Sequence, residues 1–216
     1  LLRVPGSEDS RAGRALTLRL QPFSQGEIEQ RVDDWVTRLS ADPAGAIGRQ
    51  PDRGDIVGRM VRGGYPAVQG LSPRAMGLWL KGYADRLVER DSADLGTLQV
   101  PVLRRLLMLV AAAPGAELVL ERFAETLGVA RSTVQRYLDI LEALFITTTL
   151  PQWSRSLTSR QTRRAKCYLP DSGLPAALHH HPAERLLSPL GVDHLGGGGE
   201  TFVVNELRRQ QGWSET

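Results

Sequence analysis

Apolar positions recur at helical spacing over most of the chain, interrupted by short stretches rich in β-branched residues. The clearest case runs from Leu118 to Leu150. Leu120, Phe123, Ala124 and Leu127 follow an i, i+3, i+4, i+7 pattern, and after a short break Val134, Tyr137, Leu138, Leu141, Leu144 and Phe145 repeat it. Gly128 at the break can take the positive φ that ends the first helix. Ser132 can cap the second, with Gln135 reaching back as its capping-box partner. The stretch predicts a helix-turn-helix. A plain αα corner with no nucleic-acid role has the same local pattern, so this stretch alone leaves both readings open.

Other elements follow in order. Leu16, Leu18 and Leu20 alternate along Ala15 to Leu20 and predict a strand closed by Pro22. Ser24 and Glu27 form a second capping box, opening a helix with Ile28, Val32, Val36 and Leu39 on one stripe. Residues 40–54 lack periodicity and read as a surface loop. A short helix through Met60 leads to a turn at Gly63, Gly64, Tyr65 and Pro66. Ser72 and Pro73 suit the N-cap and N1 of a helix with Met76, Leu80, Tyr83 and Leu87 inward. Pro101 opens the next helix, with Leu103, Leu106, Leu107 and Val110 inward and Arg104 and Arg105 outward.

Phe145 to Leu150 and Lys166 to Leu169 are strand candidates. A helix, a helix-turn-helix and a hairpin in that order describe a winged helix. Charge sharpens this picture: Pro151 to Pro170 carries five basic residues, Arg155, Arg160, Arg163, Arg164 and Lys166, and no acidic one. This is where a wing approaches phosphates. With Ser132, Thr133, Gln135 and Arg136 on the second helix facing the major groove, these cations are the candidate DNA-binding residues. A solvated loop, or a linker packed on another domain, would carry the same charge.

Beyond the hairpin, Asp171 to Leu174 suggests a turn into a short helix. His179, His180 and His181 point different ways on a helix, and Pro182 interrupts any helix that would bring Glu184 beside them, so they read as a surface tract rather than a metal site. Gly196 to Gly199 reads as a flexible linker or tight loop before a last helix, Glu200 to Gln211.

Composition mainly excludes. The 216 residues are 41% hydrophobic and 24% charged, ordinary for a globular chain, and no run reaches membrane-span length. No signal pattern opens the chain, and a cytoplasmic location is expected. The chain starts at Leu1 without Met, which suggests a fragment, a processed product or a trimmed chain. One cysteine, Cys167, rules out an internal disulfide and reads as a buried small apolar side chain. The net charge is only +3. No GxxxxGK[ST], HExxH or GxSxG occurs, so no catalytic or metal-ligating residues are assigned.

The order of these pieces resembles the part after the P-loop core of a large prokaryotic family of ATP-binding proteins, which joins an AAA-type ATPase core to a winged helix and a nuclease-like end. The matching residues are Ala12-Gly13-Arg14, Leu20 to Glu27, Gly63-Gly64-Tyr65-Pro66, Tyr83 with Arg90-Asp91, Leu127-Gly128-Val129 with Thr133-Val134 and Tyr137-Leu138, Leu141-Glu142, Lys166 with Tyr168, Asp171 and Gly173, and Glu200 with Phe202-Val203 and Glu206-Leu207. The resemblance implies that residues 1–23 end the ATPase core, with Arg14 the one candidate for nucleotide contact, beside a structural role for it. Residues 24–97 would be a helical segment and 98–178 the winged helix-turn-helix. Residues 179–216 would be a linker and the first helix, bearing Glu200 and Glu206, of a truncated nuclease-like region whose metal site is incomplete here.

The expected fold class is mainly α with short β elements. No cofactor is expected in this chain, and ATP with Mg is implied for the intact protein. Expected partners are DNA, an upstream ATPase core and a downstream nuclease-like region, with no membrane contact. The alternative is that the winged helix is a protein-interaction or interdomain coupling module without DNA contact.

Overall fold

A computed structural model describes residues 20–32, 34–43, 51–91, 99–153, 155 and 164–212. The strand expected from Ala15, the ATPase-core end and Arg14 therefore lie outside the described residues, as do Arg160 and Arg163.

The N-terminal part departs from the single helix expected after Ser24. The capping box is present, with Ser24 and Glu27 bonding each other's backbone, but the helix it opens, α1, is only Gln25–Ile28. Gln30 turns at φ 55° and Arg31 N–H returns to Gly26 O, which ends the helix. A separate helix, α2 (Trp35–Ala41), begins where the Asp34 side chain accepts from Thr37 N–H. The anticipated stripe is thus split, and Val32 is fully exposed.

Next come two helices set by their caps. In α3 (Arg53–Arg62), Asp52 accepts from Gly54 N–H and Val57 and Met60 turn inward. Helix α4 (Pro73–Arg86) starts with Ser72 accepting from Ala75 N–H and Pro in its first turn, as its sequence predicts. It buries Met76, Leu80 and Ala84, and one wider turn, Leu87–Asp91, extends it. Helix α5 (Val100–Ala112) buries Leu103, Leu106, Leu107 and Val110, the four positions its spacing marks.

Helices α6 (Leu120–Leu127) and α7 (Arg131–Ala143) pack on α5 around the break at Gly128, which adopts the left-handed conformation at φ 68°. The expected cap is corrected here. The extended residue before α7 is Ala130, which offers no side-chain cap, and Ser132 already lies in the first turn. Gln135 donates instead to Asp139 one turn on. Burial holds α7 in place: Val134, Tyr137, Leu138, Ile140 and Leu141 are all inside.

Phe145 turns at φ 57°, so the strand expected from Phe145 begins only at β1 (Thr148–Leu150). It pairs antiparallel with β2 (Lys166–Tyr168), Thr148 opposite Tyr168 and Leu150 opposite Lys166. A bridge from Glu117 to Lys166 and the bonds Leu118 N–H to Ala165 O and Cys167 N–H to Ala116 O line the other edge of β2.

Among the described residues three α-helices follow, α8 (Gly173–Leu178), α9 (Ala183–Leu187) and α10 (Val192–Gln210), with a short 3-10 turn at Pro189–Gly191 before the last. The last includes Gly196 to Gly199, which are helical rather than a linker. Two of them are there for contact. A Cβ on Gly197 would sit 2.5 Å from Pro114 O, and one on Gly198 would sit 3.1 Å from the Met60 sulfur. The apolar core runs from α4 through α5, α6 and α7 to Cys167, Leu169, Leu174 and Leu178, and a smaller cluster of Val57, Met60 and Leu186 seats α10.

Candidate nucleic-acid interface and the polar node behind it

The outward side of α7 carries Arg131, Ser132, Gln135, Arg136 and Asp139, all exposed, with Thr133 half-buried. This follows from the 3.6-residue period, which turns Val134, Tyr137 and Leu138 inward and their neighbours to water. Two of the polar groups are engaged within the chain. Arg131 pairs with Glu121 at 2.7 Å, and Gln135 Nε2 donates to Asp139 at 2.8 Å. Glu121 is held below the usual carboxylate range by its backbone hydrogen bond and by Arg131, with Arg164 adding to it. Arg136 has no partner among the described residues.

On the hairpin, Arg155 and Arg164 are exposed, and Trp153 is 72% exposed between β1 and Arg155. Lys166 differs from the other basic residues. Its Nζ lies 2.6 Å from Glu200 Oε1, which also accepts from the Tyr168 hydroxyl at 2.6 Å. These two bonds hold the Glu200 carboxyl below its ordinary range. The hairpin is thereby tied to the middle of α10.

Elsewhere in the fold lies a node of buried charge that the periodic pattern does not announce. Asp171 is fully buried. Its carboxylate accepts from Gly64 N–H at 2.5 Å, from Gly173 N–H at 2.8 Å and from Arg209 Nη2 at 3.3 Å. Burial pushes its pKa upward, while Arg209 and the two backbone donors pull it down. Arg209 is held in turn by Glu206 at 2.5 Å, whose other oxygen accepts from Gln25 N–H at 2.8 Å. Gln25 Oε1 takes Arg62 Nη2 at 3.0 Å, and Phe23 N–H bonds Gly64 O at 2.8 Å.

Gly64 is where three segments meet without room for a side chain. A Cβ there would lie 2.1 Å from Phe23 O and 3.0 Å from the Arg209 guanidinium. The sequence fragments around Ser24, Gly63, Asp171 and Glu206, scattered along the chain, converge on this one place. Arg209 was absent from the expected site residues, although its position three after Glu206 on a helix is the kind of spacing that pairs side chains.

Other chemistry is limited. Cys167 is buried and its thiol is pushed up to about 12, chiefly by burial. Of the histidine tract, His180 is exposed, while His179 and His181 are half-buried, and His179 Nε2 lies 3.0 Å from Met108 O. The His181 ring meets His194 of α10 at 4.4 Å between centroids. Among the described residues no three His, Cys, Asp or Glu side chains gather as a metal site. No helix among them is long and apolar enough to cross a membrane.

The fold and site define a mainly helical domain with a two-stranded antiparallel hairpin, its last helix held by the half-exposed Lys166–Glu200 pair and the buried Asp171–Arg209 pair. By sequence profile, residues 53–185 match a domain of unknown function, DUF8612, and the chain belongs to that family. It is 32% identical over 158 residues to Uncharacterized protein Rv2008c of Mycobacterium tuberculosis and to Uncharacterized protein Mb2031c of Mycobacterium bovis. The match takes in 68% of this chain and 33% of each relative, so the chain spans about a third of their length. No solved structure matches the chain.

Proposed function

We propose that residues 98–178 are a winged helix that binds DNA, α7 entering the major groove and the hairpin cations resting on phosphates. The observation that carries this reading is the element order. Helix α5, the strand-like stretch at Glu117, α6, α7, β1 and β2 follow one another as in winged helices, with β2 bonded on both edges. Ser132, Gln135 and Arg136 stand exposed on the face that would meet base edges, and Arg155 and Arg164 are exposed on the hairpin. The resemblance to AAA-type ATP-binding proteins supports a longer protein in which residues 24–97 connect this unit to an ATP- and Mg-dependent core and residues 179–216 lead into a nuclease-like region.

Anisotropy of a labelled duplex, titrated at several salt concentrations, tests the DNA reading. Binding at low salt should weaken as salt rises, and Arg136→Ala should lower the salt slope by about one. No binding at low salt, or no slope, overturns it.

A second reading, that the unit couples neighbouring domains, is favoured by a separate observation. Lys166 and Tyr168 grip Glu200, and Glu206 grips Gln25, so the hairpin, α10 and the N-terminal segment are fastened together. Under this reading Glu200→Gln should raise amide exchange in the hairpin and α10 together. Unchanged exchange in either one removes it.

A further inference from the structure

The exposed tryptophan at the mouth of the hairpin points to a substrate class. Trp153 is 72% exposed, against 39% for Trp35, while Trp79 is half-buried and stacked on Tyr83 at 5.2 Å. Leu150, at the end of β1, is itself 41% exposed. A ring this exposed offers a large, rigid face with a polar N–H for contact with a ligand. The surroundings say what kind. Beyond the last pair, Leu150 opposite Lys166, the outgoing limb carries Trp153 and Arg155 and the returning limb carries Arg164, with no acidic residue between positions 150 and 170.

An exposed aromatic ring at the end of a strand, with exposed arginines on both limbs of the hairpin, is suited to stack an unpaired base while the cations hold the adjoining phosphates. A base inside a continuous duplex offers its edges in the grooves, and its face is covered by its neighbours. Trp153 can therefore be used fully only where a strand end or fork exposes a base face. We propose, building on the DNA-binding reading above, that the preferred substrate is DNA with a junction between duplex and single strand, with Trp153 stacking on the first unpaired base.

The test compares a blunt duplex, the same duplex with an unpaired arm, and an oligothymidine, each titrated into the full chain. The forked DNA should bind about tenfold more tightly than the blunt one, the size expected for one stacked base. Trp153→Ala should erase that preference and leave blunt-duplex affinity unchanged, while Trp153→Phe keeps most of it. Oligothymidine should quench the tryptophan emission of the native chain, and Trp153→Phe should lose the quenching while still binding. Equal affinity for blunt and forked DNA, or a fork preference that survives Trp153→Ala, overturns the inference and leaves the winged-helix reading standing. Failure to bind any of the three at low salt overturns both.

Discussion

The node around Arg209 and the outer edge of α7 use the same residue types, and burial turns them into different objects. Arg209 and Asp171 have side chains 1% and 0% exposed, whereas Arg131 and Glu121 are 63% and 67% exposed. In the first pair each charge has surrendered its hydration and depends on its partner. In the second, water and salt stand ready to replace either partner. An ion pair at the surface can thus be given up to a ligand, while the buried one cannot be separated without opening the fold.

The largest expected effect follows from breaking the buried pair. Arg209→Met should cost about 3–5 kcal/mol in urea unfolding, because Asp171 would remain as an uncompensated buried charge. Adding Asp171→Asn should restore part of that loss. A double variant no more stable than the single one would assign the cost to packing and weaken the contrast.

Gly64→Ala comes next, at roughly 1–3 kcal/mol, since its Cβ overlaps Phe23 O and presses on Arg209. Amide exchange should rise in residues 23–28, and a neutral substitution would mean that this seat is loose.

A smaller effect concerns pH. The His181 pKa is lowered by burial first, then by His194, Arg185, His179 and His180. Its folded value lies below the unfolded value of about 6.5, so the unfolded chain takes up more protons as pH falls. The stability it contributes is present above about pH 6.5 and is lost on acidification. His181→Gln should flatten the fall in melting temperature between neutral and mildly acid pH; an unchanged slope assigns the fall to other groups.

Arg131→Ala, last, should leave the melting temperature unmoved, and a clear drop would erase the distinction between the two pairs.

Most helices were legible because burial follows period. Leu103, Leu106, Leu107 and Val110 lie inside, as their spacing demands, and Gly128 and Ser72 act at their helix ends as local chemistry requires. The failures share a cause. Ser132 as a cap, Gly196 to Gly199 as a linker and the unbroken stripe from Ile28 to Leu39 each rest on one local preference, and a competing one wins: Ala130 precedes α7, Gln30 and Asp34 divide the stripe, and contact with Pro114 and Met60 holds the glycines helical. The same holds for the polar node. Asp171, Gly64, Glu206 and Arg209 lie far apart in the chain or look like ordinary surface residues, and only the fold shows that one carboxylate collects Gly64 and Arg209 at once. At the candidate interface, exposure was predictable for Ser132, Gln135 and Arg136, but the capture of Lys166 by Glu200 was not.

The four glycines of α10 give that helix a conditional existence. Each glycine makes a helix interior about 1 kcal/mol less favourable than alanine would, so this turn has little tendency to coil by itself. Close contact with Pro114 and Met60, together with the bonds to Glu200 next to them, offsets that cost. Order in residues 196–199 therefore reports whether α10 is seated against the rest of the domain, and anything that lifts α10 away would erase its first half as a helix rather than move it as a rod.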